Sequence, residues 1–374
     1  MTTRERFVNV LTGKPADRVP FMKVFGGDNA ILPHWEQEHP GLGQCMDELL
    51  QFEGGYRGWR TTPVNMDPSQ LLPVEVLEDT LDKQIRRRGD GTVEMVYKTG
   101  DYHRHDVGWP IQTLADWREY KARHMQPDDP SRFPANWDEL VKQYRQRDYP
   151  LQLTHRGVYG FPRNRMGDEA MAYAFYDDPE LMHTIMDDYT DFALAVYEKM
   201  VAEVDFDLIE CWEDMAYRSG SLISPATFRE FMAPNYRKLR QFADAHNIPI
   251  ILVDSDGYIE DLSEVMFEAG VNAMYPYEVQ SGNDVARVRE RFPGMGCVGG
   301  LNKEAMAWGQ EAIDAEIARA RRLIERGRFI PGPDHFVLSN VTFASYRYFM
   351  EQLREVCLTT TPGHDRAARP IAPS

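Results

Sequence analysis

The stretch from Ser224 to Gly257, SPATFREFMAPNYRKLRQFADAHNIPIILVDSDG, decides the fold. Ser224 followed by Pro225 is a helix start, because a cap hydroxyl satisfies free backbone N–H groups and a proline at the first helical position has none to leave unpaired. Pro234 predicts a bend or break further along. After the helical segment, the apolar run ending at Val253 predicts a short buried strand, which stops abruptly at Asp254, Asp256 and Gly257. Helix followed by buried strand is half of a parallel β/α unit.

The same rhythm holds from Leu151 onward. Strands are predicted at PLQLTH, FDLIECW, PIILVDS, VNAMYPY, GMGCVGG and RFIPG, separated by helical segments such as DPELMHTIMDDYTDFALAVYEKMVAE. Adding an early strand at DRVPFMKVFGG and one concealed in the irregular region from about 26 to 150 gives about eight, so an α/β (β/α)8 TIM barrel is expected. A doubly wound dinucleotide fold is disfavoured: no G-x-G-x-x-G follows the first strand and there is no P-loop, so no nucleotide cofactor is expected. TTRERFVNVLTG reads as a short amphipathic helix capped by Thr2 or Thr3 and stopped at Gly13. TVEMVYKTGDYHRHDVGWP reads as an antiparallel hairpin, with His103 and His105 on its edge. One domain is expected over 1–358, with 26–150 as an elaboration or lid and 359–374 as a flexible tail.

Charge narrows the partners. With 42 Lys and Arg against 59 Asp and Glu, the net charge of −17 argues against nucleic acid and anionic membranes. The four cysteines, Cys45, Cys211, Cys297 and Cys357, form no C-x-x-C pair, which points to a reducing, cytoplasmic setting rather than to disulfides or a zinc ribbon. No apolar run is long enough to span a membrane, and charges occupy the start where a signal peptide needs its apolar region.

In a barrel of this kind chemistry sits at the carboxyl ends of the strands. The predicted strands end there in Trp212, Glu213 and Asp214; in Asp254, Ser255 and Asp256; in Tyr277 and Glu278; in Asn302 and Lys303; and in Asp334 and His335. A helix N-cap is the competing account of Asp214 and Asp334 individually. Two carboxylates two residues apart, Asp254 and Asp256, exceed what one cap needs. Glu210 lies inside its strand; Cys211 and Cys297 read as small core residues. Arg163 and Arg165 are candidates for a bidentate grip on a substrate carboxylate, with surface ion pairing as the alternative.

TTRERFVNVLTGKPADRVP, the block from Gly160 to Met200, the segment from Ser221 to Gly257 and GVNAMYPYEV together resemble the uroporphyrinogen decarboxylase superfamily over nearly the whole chain to about Cys357. The resemblance implies the barrel, a cleft at its carboxyl end and a possible homodimer. It also implies one of two chemistries: porphyrinogen decarboxylation, or methyl transfer to or from a corrinoid carried by a partner protein. Neither signature is intact. The decarboxylases' R-Q-A-G-R loop is replaced by KVFGGDNAILPHWEQEHPG, where an octa-anionic substrate would meet Asp28, Glu36 and Glu38. The thiol methyltransferases' zinc-binding H-x-C-G is replaced by Asp254-Ser255-Asp256-Gly257, and the last strand supplies His335 but no cysteine.

Carboxylates and an imidazole make a harder site than thiolates, suited to activating oxygen. Asp254, Asp256 and His335 are therefore expected either to hold a divalent metal such as zinc, or, with Glu213, to work as acid–base groups with one carboxyl kept protonated by its neighbours. Trp212, Tyr275 and Tyr277 are expected to wall the substrate pocket, with Glu278, Asn302 and Lys303 at its rim. The leading expectation is a methyltransferase that demethylates a small oxygenated substrate, of the methyl ether type, toward a corrinoid protein. Decarboxylation of a porphyrinogen or smaller acid is the alternative, and a non-catalytic small-molecule-binding barrel the third.

Overall fold

The computed structural model describes residues 1–25, 31–55, 58–98 and 104–365; Asp28 and His103 lie outside the described residues. In chain order the strands are β1 (Arg60–Thr61), then β2 (Glu75–Asp79), β3 (Lys83–Arg87), β4 (Val93–Tyr97) and β5 (Arg104–Gly108), then β6 (Leu151–His155), β7 (Leu208–Trp212), the hairpin β8 (Ala216–Tyr217) and β9 (Gly220–Ser221), and β10 (Ile250–Asp254), β11 (Ala273–Tyr275), β12 (Gly296–Leu301) and β13 (Phe329–Pro333). β1, β6, β7, β10, β11, β12 and β13 make one parallel sheet in that order, and β2 to β5 a separate antiparallel sheet. The six strands expected after Leu151 are all present. The concealed second strand is β1, only two residues long, and the expected hairpin is β4 with β5.

The early strand is different. Among residues 21–25 there is one isolated bridge, at Lys23. The reason is that both backbone groups of Phe21 are taken by Glu53, whose carboxylate accepts the N–H (3.1 Å) and whose own N–H donates to the carbonyl (2.8 Å). The segment still touches both open edges of the sheet. Val24 packs so closely on β13 that a Cβ on Gly332 would lie 2.7 Å from it, and Met22 crowds Gly58 just ahead of β1.

Helices cover the sheet as their sequences foretell. Thr2 and Glu5 form a reciprocal capping box on the helix Thr3–Leu11. Ser224 accepts the Thr227 N–H at the next helix start, and ahead of Pro234 the helix widens into a single π turn, Phe228–Met232, before continuing as Ala233–Ala245. The tail expected to be loose is held as far as Asp365: Gly363 N–H donates to Ile324, Asp365 N–H to Gly13, and Arg328 pairs with the Asp365 carboxylate at 2.6 Å.

Strand register sorts the side chains. Partners in neighbouring parallel strands project to the same face, and alternate residues to opposite faces. Thr154, Glu210, Leu252 and Ala273 form one tier, and Trp212, Asp254 and Tyr275 the tier nearer the carboxyl ends. His155, Cys211, Val253, Met274, Cys297 and Phe329 make a row on the opposite face. Helices pack on that row: the His155 ring lies 4.9 Å from Tyr189 of the helix Pro179–Val201. The cysteines are thus core residues, as their apolar settings suggest.

Candidate active site

β10 ends where its sequence stops being apolar. Asp254 is buried, and the Tyr275 hydroxyl lies 2.6 Å from its carboxylate and 2.9 Å from that of Glu210. One tyrosine hydroxyl thereby joins two carboxylates from β7 and β10. Ser255 turns to the other face, its hydroxyl accepting the Met215 N–H. Gly257 follows at φ 80°, where a Cβ would sit 2.6 Å from the Ala216 carbonyl, so the turn admits no side chain. Its N–H donates to Glu278 at 2.9 Å, tying this turn to the end of β11.

Asp256 is the meeting point. His335 Nε2 lies 3.1 Å from its carboxylate, and the imidazole is clamped by Phe25, stacked at 5.0 Å, and by Phe336, edge-on at 4.9 Å. Asp256, Glu278 and His335 each present an atom such that all three lie within 4.8 Å of one another, and Asp256 belongs equally to a second group with Asp214 and Asp254. The expected trio of Asp254, Asp256 and His335 is therefore divided: Asp254 faces Tyr275 and Glu210, while Glu278 takes its place beside His335. The chemistry of the set, two carboxylates and an imidazole with no thiolate, fits a hard divalent cation. Lys303 Nζ stands 3.6 Å from Glu278. Asn302 instead caps the following turn, accepting from Glu304 N–H and from Gln280.

Asp214 proves more than a cap. Its backbone is in the left-handed region, φ 44°, a conformation that costs energy for a residue with a Cβ and recurs at functional sites. Burial, reinforced by the negative charge of Asp256, raises its proton affinity, while Arg163 opposes the rise. Arg163 donates to the Asp214 carbonyl, approaches its carboxylate at 3.5 Å and lies over Trp212, 5.7 Å from the ring centroid. Arg165 turns elsewhere, to Asp90 at 3.2 Å.

Two expected residues do not face this end. Glu213 is fully buried on the helix side, where its carboxylate accepts the N–H groups of Val158 (2.8 Å), Tyr159 (2.7 Å) and Gly160 (3.0 Å) and the Tyr236 hydroxyl. Burial raises its proton affinity and those four donors pull the other way. It is a positioning residue for the loop that leads into the helix Gly160–Met166. Tyr277 is also fully buried; at φ 57°, after the cis peptide Tyr275-Pro276, it breaks strand alternation and lies beside Cys297. Among the described residues, Trp59 at 5.4 Å and Phe25 at 5.8 Å are aromatic neighbours of Tyr275. Sequence reasoning missed both, along with Glu210 and Arg156. Glu210 was detectable, being two residues before Trp212 and so on its face. Arg156, just past β6, grips Asp67 through two bonds of 2.8 and 2.6 Å.

The family model described as uroporphyrinogen decarboxylase (URO-D) matches residues 164–356, more than half of the chain. The chain belongs to the uroporphyrinogen decarboxylase family. No curated protein matches it in sequence. Among solved structures, a methyltransferase from Methanosarcina mazei is similar in fold, with a TM-score of 0.58 and 17% identity over 95% of this chain and 98% of that one. A putative vitamin-B12 independent methionine synthase from Listeria monocytogenes is more remote, with a TM-score of 0.32 and 14% identity over 58% of this chain and 69% of that one. For a family member, the match brackets the distinctive part of the site: Asp214, Asp254, Asp256, Glu278 and His335 all fall within it.

Proposed function

We propose that this uroporphyrinogen decarboxylase family member is an enzyme that removes a methyl group from a small, oxygenated substrate of the methyl ether type and passes it to a corrinoid protein. The reading rests on one observation: the cluster at the carboxyl end joins Asp256, Glu278 and His335 in a hard donor set, with Asp214 beside it. The segment 21–25, touching both sheet edges, would complete a (β/α)8 barrel around this cluster. The Methanosarcina methyltransferase fold adds plausibility to the chemistry, and the departures from both family signatures set its terms.

Each residue has a task. Asp256, Glu278 and His335 would hold a divalent ion, which when bound supplies Lewis-acid polarisation of the substrate oxygen. Asp214, whose proton affinity burial and the charge of Asp256 raise, is the group placed to give a proton to the departing oxygen as that oxygen takes the electron pair of the broken C–O bond. Trp212, Trp59, Phe25 and Tyr275 offer apolar surface to the rest of the substrate. Arg156 faces Asp67, Arg163 faces Asp214 and Lys303 faces Glu278. With these cations already matched, a polyanionic porphyrinogen finds no surplus positive charge in them, which disfavours the decarboxylase reading.

The test is the metal content of untagged protein purified without chelator, with Asp256→Asn in parallel, followed by incubation of the loaded enzyme with methyl ethers and a corrinoid acceptor. The expected result is about one equivalent of divalent metal, lost in a variant that stays folded and whose Tm falls no further than that of the wild type stripped of metal. Folded, metal-free wild-type protein would overturn the metal assignment, and release of CO2 from an acid substrate the methyl transfer.

A further inference from the structure

Asp334, the first residue past β13, is fully buried. It does not cap the helix that follows it: that helix, Phe343–Thr359, starts on Thr342, whose hydroxyl accepts the Ser345 N–H. The Asp334 carboxylate reaches sideways across the sheet instead. One oxygen accepts the Val279 N–H (2.7 Å), beyond the end of β11, and the other accepts the Lys303 N–H (3.0 Å), beyond the end of β12. Its own N–H donates to the Leu301 carbonyl (2.8 Å). The carboxyl ends of three neighbouring strands are thus joined at one side chain.

The chain neighbours of these groups belong to the Asp256 cluster. Glu278 precedes Val279, and His335 follows Asp334. Two further contacts close a ring: His335 Nε2 lies 3.1 Å from the Asp256 carboxylate, and the Glu278 carboxylate accepts the N–H of Gly257, next to Asp256, at 2.9 Å. Around this ring, links through space alternate with peptide bonds. Two of the links use side chains of Asp256, Glu278 and His335, the groups that a bound cation would draw upon. The link from Asp334 to Val279 uses none of them, so it stays available whether or not a cation is bound. The second oxygen of Asp334 holds the backbone of Lys303, whose ammonium stands 3.6 Å from Glu278. Both bonds have a charged acceptor, which makes them stronger than neutral ones.

We infer that Asp334 is a positioning residue for the cluster: its carboxylate sets the spacing of Glu278 and His335 and, through Gly257, of Asp256. Groups that orient a metal's ligands from behind set its affinity, and their loss costs about 10–100-fold. The effect on metal rests on the ligand assignment proposed above; the effect on spacing does not.

Asp334→Asn keeps the shape but turns an NH2 group toward one of the two N–H donors, whichever way the amide lies. Competition with a chelating dye for Zn²⁺ reads metal affinity. Mass-spectrometric mapping of diethyl pyrocarbonate modification, on metal-free protein, reads the freedom of the His335 imidazole, which Asp256, Phe25 and Phe336 restrain. In Asp334→Asn, Zn²⁺ binding is expected to weaken at least about tenfold and His335 to react several-fold faster. His246, beside Glu198 past the C-terminal end of the helix Ala233–Ala245, should react at the wild-type rate. Asp207→Asn weakens another buried carboxylate's bonds, to Leu151 N–H, Arg4 and Arg147 at the amino ends of β6 and β7, and should lower Tm while moving neither readout. That same pattern in folded Asp334→Asn, with Zn²⁺ affinity or the His335 rate unchanged, overturns the inference. Wild-type protein that takes no Zn²⁺ sinks the ligand assignment, and the His335 rate then decides alone. Asp334→Ser, which puts one oxygen in place of two, carries the same expectations if the asparagine variant does not fold.

Discussion

Replacing Glu213 by glutamine separates a positioning role from a catalytic one. The amide oxygen is best kept where one carboxylate oxygen now accepts Tyr159 and Gly160, which turns the new NH2 toward the Val158 N–H and the Tyr236 hydroxyl. The hydroxyl can rotate to accept; the Val158 N–H cannot. One buried donor is then unsatisfied, at about 1–3 kcal/mol, and the surviving bonds lose their charge assistance, at about 1 kcal/mol each. Relief of the buried charge offsets part of this, leaving a loss of roughly 2–4 kcal/mol. With an unfolding entropy of about 2.1 cal/mol/K per residue over 374 residues, Tm should fall by roughly 3–5 °C. Calorimetry at pH 7.5 reads this directly, alongside activity measured well below the new Tm. A Tm equal to or above the wild type's would refute the reasoning, because Glu213 would then be protonated in the folded protein. Lost turnover with unchanged Tm would return Glu213 to the catalytic list.

Other expectations follow from the same structure. His155 is fully buried, neither ring nitrogen is hydrogen-bonded among the described residues, and desolvation pulls its pKa from 6.5 down to about 3. The unfolded chain takes up this proton first, so stability present above pH 6.5 is lost toward pH 3, by roughly 4–5 kcal/mol in full; His155→Leu should lack that part of the acid limb in urea unfolding from pH 7.5 to 4. Asp214 has the opposite sign from the same cause, burial of a charged form: its raised proton affinity penalises the folded state at neutral pH, a penalty that is relieved as pH falls toward 3.8. Asp214→Asn, tolerated at φ 44°, should therefore raise Tm at pH 7.5, with a gain that shrinks on acidification. Gly257→Ala meets both the Ala216 carbonyl and an unfavourable φ, and a destabilisation of at least about 2 kcal/mol in urea titration is expected.

Much of the fold was legible because buried parallel strands are written as apolar runs. Leu151–His155, Leu208–Trp212 and Ile250–Asp254 declare themselves by composition, and the last two also by the acids that stop them. β1 did not, since two residues carry no periodicity, and the segment 21–25 resembled a strand by composition while Glu53 held its backbone. The site was half legible. That Asp254 and Asp256 end a strand could be read; that Glu278, not Asp254, stands beside His335 depends on how the turn at Gly257 is tied to β11. Glu213 shows the limit of reading strand ends without parity: it alternates with Trp212 and shares the face of Cys211, which points it at the helices. Parity fails in turn at Tyr277, where the cis peptide and a positive φ reset the direction.

The row that holds Cys211 and Cys297 against the helices also settles how the folded protein meets thiol reagents. Both thiols are fully buried, as is Cys357, and desolvation lifts all three away from the reactive thiolate form. Cys45 is exposed, on the helix Leu42–Leu50 whose Asp47 pairs with Lys23 at 2.8 Å. A maleimide dye added to native protein therefore lands on one position, two residues from the carboxylate that anchors the segment running between the two edges of the sheet. The chain carries its own single attachment point for a fluorophore that reports on that segment, with no engineering of the other cysteines.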